Sequence, residues 1–339
     1  MKKGFFLTLT EGSIQGGMEV YARHIQQAIP SLQVVGRESL AKKNPLEWNW
    51  PFFQTIQHGK LLADYMNRLP SPPAFVVASG MDGWALPKSR PYPLFSVLHG
   101  TFVGLAENGY SKTSPLYWRM RYIFPAFEKK SAQNALVRVS NSAFTQQEVK
   151  QKYGLDSSVI EPPIDSSLFS PGSQSVARKK MGWEAETKHV LFVGNPTYSK
   201  GFDIFESLAR AHPEWEFHAI TSPRVQSLLP NLACSPPLSQ AELVTAYRAS
   251  DALIFASRYE GFGFVPLEAL ASGCPIITSK VGIFHDFSHE RAKIVPHSLD
   301  SFDSALGAWI KFPPSRVGKW TDRFSVAVFA KKWKQVIEG

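Results

Sequence analysis

The sequence has only two cysteines among 339 residues, Cys234 and Cys274. Two thiols cannot build a disulfide scaffold, and they are too few for a zinc site made of cysteines. Long apolar runs are also missing, because no stretch approaches the roughly 20 residues that a membrane-spanning helix needs. Glycine and proline are scattered without a period, which excludes collagen-like and low-complexity chains. These absences favour a globular protein of a reducing compartment.

The N-terminus, MKKGFFLTLTEG, is only superficially like a signal peptide. Two lysines precede apolar residues, but the apolar stretch ends at Leu9 and no small-residue cleavage site follows. We interpret residues 5–9 as a buried first strand. The expected location is therefore the cytoplasm, with peripheral binding to the inner face of a membrane as a further option.

The chain is basic, with 37 Lys and Arg against 28 Asp and Glu and a formal net charge of +9. Most of the excess lies before residue 165. A basic surface favours anionic partners such as phosphates, acidic lipid head groups or nucleic acid. The simpler explanation is a solvated, soluble surface, so charge alone decides nothing about function.

Short apolar runs alternate with segments of helical periodicity along the whole chain. The predicted strands are residues 5–9, 74–78, 94–98, 136–139, 189–193, 216–220, 252–255 and 275–278. The predicted helices are residues 17–29, 143–153, 202–211, 240–249 and 265–271. Several strands are apolar on both faces, as in a parallel sheet covered by two helix layers. The alternation predicts an α/β protein.

A change of composition divides the chain. Residues 161–180 are rich in Pro, Ser and Gly, which predicts a linker. We therefore expect two Rossmann-like domains facing across an interdomain cleft, residues 1–165 and residues 166–318. Residues 321–338 have the pattern of an amphipathic helix, and we expect residues 319–339 to pack back on the first domain. Ligands of such sheets bind beyond the carboxyl ends of the strands.

The strongest chemical signal is EGFGFVPLEALASGCPIITSKV, which begins at Glu260 and follows the predicted strand at residues 252–255. Its glycines let backbone amides approach a ligand closely. Pro266 suits the first turn of a helix, whose N-terminus attracts anions. Glu268, one turn into this helix, can accept two hydrogen bonds from a vicinal diol such as ribose.

Two glutamates separated by seven residues resemble the signature of the family-four retaining glycosyltransferases, which have the GT-B fold. The resemblance extends over nearly the whole chain, through IQGGME from Ile14, LHG from Leu98, IEPPIDSSLF from Ile160, VGNPTYSKG from Val193 and LSQAELVTAYRASDALIFAS from Leu238. These segments are similar to the family's glycine turn, N-domain histidine, interdomain passage, phosphate-binding turn and approach to the glutamate motif. Any one of them is a weak signal, but the ordered set is specific.

The resemblance implies transfer of a sugar from a nucleotide sugar with retention at the anomeric carbon and without an enzyme nucleophile or a cofactor. The implied catalytic residues are His99 near the reacting sugar, Glu260 at the donor sugar hydroxyls and Lys200 at the diphosphate. The implied donor-binding residues are Gly16, Gly17, Asn195, Lys200, Glu260, Gly261, Phe262, Gly263, Phe264 and Glu268, the last at the ribose. Asn195 departs from the family, which often has an arginine there, so Arg224 and Arg258 are further candidates for the diphosphate.

Each of these residues also has a purely structural explanation. Glutamates near a helix start are favoured by the helix dipole. His99 could be a satisfied core histidine, Gly16 and Gly17 a tight turn, and Lys200 a solvated side chain. Residues 114–130, SPLYWRMRYIFPAFEKK, interleave aromatic and basic residues. They suit an anionic membrane surface or a lipid-linked acceptor, and equally a core helix with cationic rims. Nucleic acid ranks last, because no recognised nucleic-acid module accompanies them.

The expected function is transfer to a glycan or lipid-linked glycan acceptor in bacterial surface polysaccharide or lipopolysaccharide biosynthesis. The alternatives are a GT-B sugar-nucleotide epimerase, a phosphorylase, and a protein that binds nucleotides or glycans without catalysis.

The sequence has no Asp-x-Asp pair of the kind that holds a divalent ion for nucleotide sugars. We therefore predict that sugar transfer proceeds at an unchanged rate in excess chelator. An assay that loses activity with EDTA and regains it with manganese or magnesium would refute this.

Overall fold

The computed structural model describes residues 3–11, 16–41, 54–316 and 321–339. They form two compact units, one comprising the residues up to Pro163 together with Arg323–Gly339, the other Ile164–Asp322. Each unit contains one six-stranded sheet whose paired strands are all parallel. The prediction of an α/β protein with two Rossmann-like domains is confirmed. Ile14 and Gln15, from the glycine turn, lie outside the described residues.

The first unit has a sheet of order β2-β1-β3-β4-β5-β6. Its strands are Gly4–Leu7 (β1), Leu32–Val35 (β2), Val76–Ser79 (β3), Leu94–Leu98 (β4), Val137–Ser140 (β5) and Ser158–Val159 (β6). Its helices before the second unit are Gly17–Ala28 (α1), Arg37–Ala41 (α2), Gln54–Asn67 (α3), Phe102–Gly109 (α4), Pro115–Trp118 (α5), Phe124–Asn134 (α6) and Ala143–Tyr153 (α7).

The second unit has a sheet of order β12-β11-β10-β7-β8-β9. Its strands are His189–Val193 (β7), Glu216–Ile220 (β8), Leu232–Ser235 (β9), Ala252–Phe255 (β10), Ile276–Ser279 (β11) and Ala292–Val295 (β12). Its helices are Gln174–Met181 (α8), Phe202–Ala211 (α9), Gln240–Ala249 (α10), Phe264–Ala271 (α11) and Leu299–Lys311 (α12). The last helix of the chain, Val326–Glu338 (α13), belongs to the first unit.

Side chains of β1 show that the first sheet packs against a core on each of its faces. Phe5 and Leu7 pack into one apolar cluster with Leu62 of α3. Phe6, between them, packs into another cluster with Tyr21 of α1. Successive side chains of a strand point to opposite faces, so a fully apolar strand requires a helix layer on each side.

The prediction of a linker over residues 161–180 was wrong in its second half, because α8 begins at Gln174. Ser173 caps this helix, and its Oγ accepts a hydrogen bond from the Val176 amide. Gly182 ends the helix in the left-handed conformation. Ser173, one of the serines that suggested a linker, is thus the N-cap of a helix.

The C-terminal segment was predicted as one helix over residues 321–338, but α13 begins only after its N-cap, Ser325. The residues before it, Asp322–Phe324, form a 3₁₀ turn. Trp333 of α13 is fully buried, and its indole N–H donates to the Tyr21 hydroxyl of α1 at 3.2 Å. Packing within the first unit therefore joins the last helix of the chain to the first.

Residues 114–130 do not form one regular helix, because a π-helical turn, Arg119–Ile123, joins α5 to α6. Trp118 and Tyr122 stack on each other with ring centroids 5.3 Å apart, and both are more than half exposed. Among the described residues, no helix is long and apolar enough to cross a membrane.

The order of the second sheet places β7 beside β10. From β7 the chain proceeds through β8 to β9 on one side, and β10 pairs with the other side of β7. The loops that follow β7 and β10 therefore leave the sheet side by side, at the carboxyl ends of the two strands. This is also the point where the strand order reverses. Such a point is the usual ligand site of an open α/β sheet.

Candidate functional site

The loop after β7, residues 194–201, is called the β7 turn below. Asn195 is exposed, and its carbonyl accepts a hydrogen bond from the Thr197 amide at 2.8 Å. A 3₁₀ turn over Tyr198–Lys200 follows, and α9 begins at Phe202. The local fold thus places Lys200 one residue before the N-cap of α9, Gly201.

Gly201 adopts a left-handed conformation, with φ at +73°. A Cβ at this position would overlap the carbonyl oxygen of Ala256, the first residue after β10. The close backbone contact therefore requires glycine for two reasons, conformation and space. It brings the β7 turn directly against the loop that follows β10.

That loop, residues 256–263, is called the β10 loop, and it carries Glu260. The Glu260 carboxylate accepts hydrogen bonds from the Lys200 ammonium at 2.5 Å and from the Ser257 hydroxyl at 2.9 Å. The Lys200 side chain is 35% exposed and that of Glu260 is 15% exposed. Two of the predicted catalytic residues, 60 positions apart in sequence, are therefore in direct contact.

Neighbouring strands hold the backbone of the β10 loop in place. The Ser279 hydroxyl of β11 donates to the Ser257 carbonyl at 2.5 Å. His297, which follows β12, contacts the Ala256 carbonyl through Nε2 at 2.9 Å. The Ile283 amide donates to the Phe262 carbonyl at 2.8 Å. The path of the loop is thus determined by contacts with several later segments.

Gly261, Phe262 and Gly263 are buried, and Gly263 is the N-cap of α11. The helix starts at Phe264, one residue before the predicted start, and Pro266 lies in its first turn as predicted. The glycine-rich segment therefore leads directly into a helix N-terminus, where backbone N–H groups lack intrahelical partners.

Glu268 is buried on α11 and accepts a hydrogen bond from the Tyr247 hydroxyl of α10 at 3.2 Å. Burial raises the pKa of Tyr247 well above its ordinary value, and the neighbouring Glu268 raises it further. Tyr247 is therefore protonated at neutral pH and can act as a donor. It orients one oxygen of the Glu268 carboxylate.

His99 and the glycine pair belong to the first unit. His99 follows β4, lies 3.1 Å from the Ser79 hydroxyl through Nε2, and meets the Tyr21 ring edge-on. Desolvation lowers the pKa of His99 to about 4, so the imidazole is neutral at neutral pH. Gly16 is the N-cap of α1, and Gly17 is its first residue.

Arg258 and Arg224, the two further arginines suggested for the diphosphate, both donate hydrogen bonds to other groups of the protein. Arg258 forms two hydrogen bonds with the Asp203 carboxylate, at 2.8 and 2.7 Å. Arg224 donates to the Cys234 carbonyl at 3.3 Å.

Within the described ranges, no group of three or more His, Cys, Asp or Glu side chains could hold a metal ion. The absence of a metal requirement remains a prediction.

Sequence patterns missed the residues that support these side chains: Ser257 beside Glu260, Tyr247 beside Glu268, and Ser79 beside His99. Ser257 lies three residues before Glu260, so short-range spacing could have suggested it. Tyr247 and Ser79 are about 20 residues from their partners and contact them only through the tertiary fold.

Residues 173–311 match the sequence profile of the family described as glycosyl transferases group 1. The matched residues cover most of the second unit. The resemblance to family-four glycosyltransferases stated from the sequence is thereby confirmed. The match includes the β7 turn, the β10 loop and α11, which carry Lys200, Glu260 and Glu268.

Curated relatives resemble this chain over part of their length. A D-inositol 3-phosphate glycosyltransferase of Corynebacterium glutamicum is 29% identical over 235 residues, which is 60% of this chain and 54% of the relative. A mannosylfructose-phosphate synthase of Agrobacterium fabrum is 29% identical over 185 residues, 47% of this chain and 40% of the relative. The matched segments thus span about half or less of these relatives.

Solved structures resemble the whole chain in fold. A sucrose-phosphate synthase of Thermosynechococcus elongatus superposes with a TM-score of 0.79 at 17% identity, covering 100% of this chain and 98% of that one. HepE of Anabaena, solved with UDP and glucose, gives a TM-score of 0.76 at 16% identity and covers 100% of both chains. The expected GT-B fold is confirmed by these likenesses.

Gly201→Ala tests the contact between the β7 turn and the β10 loop. Gly182→Ala is the matched control, because Gly182 has nearly the same φ, +70°, and nothing lies within 4 Å of its added Cβ. We expect the control to lose about 1–2 kcal/mol through left-handed strain alone. Gly201→Ala should lose about 1–3 kcal/mol more because of the overlap. Urea unfolding measures both, and equal losses would contradict the contact.

Proposed function

We propose that this protein is a retaining glycosyltransferase that moves a sugar from a nucleotide sugar to an acceptor hydroxyl. The observation that carries the proposal is the 2.5 Å contact between Lys200 and Glu260, within the residues that match the group 1 glycosyltransferase family. This contact places a cation and a hydroxyl-binding carboxylate beside a buried glycine segment and a helix N-terminus. Such a set of groups suits a sugar joined to a diphosphate.

The chemistry follows from where charge develops. As the bond from the anomeric carbon to the diphosphate breaks, negative charge grows on the leaving phosphate. Lys200 and the backbone amides of residues 261–264 would stabilise that charge without reorganising. Glu260 would bind donor sugar hydroxyls, and Glu268 would bind the ribose diol. The acceptor would attack from the face that the leaving group vacates, so no enzyme nucleophile is assigned.

Two glycines and one histidine of the first unit also have proposed roles in binding the donor or acceptor. Gly16 and Gly17 would allow close approach of the donor or acceptor to the start of α1. His99 would lie near the reacting sugar. Because its pKa is about 4, His99 would act as a neutral hydrogen-bonding group rather than as a cation. Asn195 would supply a neutral donor where the family often has an arginine.

Two acceptor classes have specific support. Relatives named for inositol phosphate and mannosylfructose phosphate favour a small phosphorylated acceptor. The exposed aromatic pair Trp118 and Tyr122 favours an acceptor glycan that is attached to a lipid carrier at the inner face of a membrane. Such glycans are intermediates of surface polysaccharide or lipopolysaccharide synthesis. We propose the lipid-linked glycan. A panel containing both acceptor classes separates them.

The membrane proposal depends on one surface of the first unit. Pro115, Trp118, Tyr122, Ala126 and Lys130 are exposed and follow helical spacing along α5, the π-helical turn and α6. The Arg121 guanidinium lies 5.1 Å from the centre of the Tyr122 ring. Exposed aromatics beside cations suit an anionic bilayer interface. A cytoplasmic protein bound peripherally to the inner membrane face follows from this reading.

Lys200→Ala tests the catalytic assignment, with the exposed Lys180 of α8 replaced by alanine as the control. We expect kcat/KM on the true donor to fall at least a hundredfold, about 2.7 kcal/mol of transition-state stabilisation, with the control unchanged.

Glu268→Ala should weaken nucleoside diphosphate binding more than tenfold, because charge-assisted hydrogen bonds are worth about 1.5–3 kcal/mol. A thermal-shift screen of UDP-, GDP- and ADP-sugars first identifies the donor, because a bound ligand raises the melting temperature.

The assay also separates the alternatives. Donor turnover without any acceptor identifies an epimerase, a requirement for inorganic phosphate identifies a phosphorylase, and nucleotide binding without turnover identifies a binding protein. Transfer with inverted anomeric configuration, measured by NMR of the product, would contradict retention. A Lys200→Ala rate within threefold of the parent would remove the proposed cation.

Trp118→Ala with Tyr122→Ala tests the membrane surface by sedimentation with vesicles. The parent should bind anionic vesicles and lose binding between 0.1 and 1 M salt, since the screening length falls from about 10 to about 3 Å. The double variant should lose most of the binding. Phe312→Ala, an exposed aromatic beside Lys311 in the second unit, should have no effect. Equal sedimentation with neutral and anionic vesicles would contradict the proposal.

A further inference from the structure

Arg258 lies in the β10 loop, two residues before Glu260, and contacts both the β7 turn and the first turn of α9. Its guanidinium forms two hydrogen bonds with the Asp203 carboxylate, at 2.8 and 2.7 Å. It also donates to the Tyr198 carbonyl, and its centre lies 3.4 Å from the centre of the Tyr198 ring. The Arg258 backbone amide donates to the Ser199 carbonyl at 2.9 Å. One residue thus holds the β7 turn by backbone and side chain together.

These partners lie on both sides of Lys200 in sequence. Tyr198 and Ser199 precede it, and Asp203 follows it in the first turn of α9. A guanidinium that binds both sides of a short turn restricts the backbone from which the Lys200 side chain extends. The lysine stem has four carbons and many rotamers, so its ammonium is well placed only if its backbone is fixed.

The charge of Arg258 is directed to Asp203. Burial by itself would raise the pKa of Asp203, but hydrogen bonds and charge from Arg258 outweigh it and hold this pKa below its ordinary value. Burial would likewise lower the pKa of Arg258, and the Asp203 carboxylate reverses that effect. A bidentate pair of this geometry is among the stronger charge-assisted contacts. Binding a diphosphate through the same donors would require breaking it.

We infer that Arg258 is a positioning residue that acts through Lys200, holding the ammonium at the donor diphosphate while making no contact with the diphosphate itself. The inference rests on the proposed function, because it assumes that Lys200 meets the donor. It assigns Asp203 and the Tyr198 carbonyl as the groups through which Arg258 acts. Arg258, suggested as a diphosphate ligand because Asn195 replaces the family's arginine, thereby receives a different role.

A double-mutant cycle between Arg258→Lys and Lys200→Ala tests this inference. Lysine keeps the charge but cannot bind Asp203 and Tyr198 in a fork. We expect Arg258→Lys to lower kcat/KM at least tenfold in the parent and less than twofold in the Lys200→Ala background. A direct diphosphate contact, or a general loss of folded enzyme, would lower kcat/KM by the same factor in both backgrounds and would overturn the inference.

Asp203→Asn supplies a second variant that is less disruptive, because Asp203 is 46% exposed. It should reproduce the loss caused by Arg258→Lys and show the same dependence on Lys200. If Arg258 were a diphosphate ligand, freeing it from Asp203 would strengthen donor binding, which would also overturn the inference. Arg210→Lys, an exposed arginine on α9, is the control and should leave kcat/KM unchanged.

Calorimetry with UDP, GDP and ADP distinguishes failure of the inference from failure of the proposed function. A parent protein that binds none of these nucleotides overturns both. A parent that binds one of them, with an affinity that Lys200→Ala weakens and Arg258→Lys leaves within twofold, overturns only the role of Arg258. Weakening by both single variants, with no further loss in the double variant, supports it.

Discussion

The parallel pairing of β7 with β10 is the constraint on which the candidate site depends. Val190 pairs with Ala252 and Leu191 with Leu253 in this ladder. Because both strands run in the same direction, the β7 turn and the β10 loop emerge together. Residues 60 positions apart in sequence, Lys200 and Glu260, can then meet at hydrogen-bond distance. A sheet with these strands apart would separate the two charges.

The Lys200–Glu260 ion pair is a consequence of this arrangement rather than its cause. Partly exposed ion pairs typically contribute about 0–1 kcal/mol, so this pair cannot by itself hold two loops together. The contact of Gly201 with the Ala256 carbonyl and the contacts of Arg258 are better suited to that role. The ion pair balances two charges in the absence of a ligand. Under the proposed function, a diphosphate, with more negative charge than one carboxylate, would compete with Glu260 for Lys200 and leave Glu260 for the sugar hydroxyls.

The environment of His99 in the first unit depends on both ends of the chain. Tyr21 of α1 touches the imidazole edge-on, and Trp333 of α13 donates to the Tyr21 hydroxyl. Phe329, one turn before Trp333, meets the same tyrosine ring with centroids 5.6 Å apart. Desolvation by burial keeps the histidine neutral. The C-terminal helix therefore packs against a direct neighbour of a residue more than 200 positions earlier.

Local sequence by itself determined the central strands and the motif residues. β4, β7, β8 and β10 were predicted with their observed bounds. β4 and β10 are buried at every residue, and the apolar run of such a strand is visible without knowing its neighbours. The four strands that were missed are β2, β6, β9 and β12, and each lies at an edge of its sheet. Edge strands pair on one side only and are partly exposed, so their short, mixed sequences show no continuous apolar run. The tertiary fold alone decides that they are strands. The partners of charged side chains could not be predicted from the sequence either. The sequence suggested that Arg258 binds a diphosphate, but in the folded chain Asp203 binds the Arg258 guanidinium. The partner of a charged group depends on contacts between distant segments, which local sequence does not show.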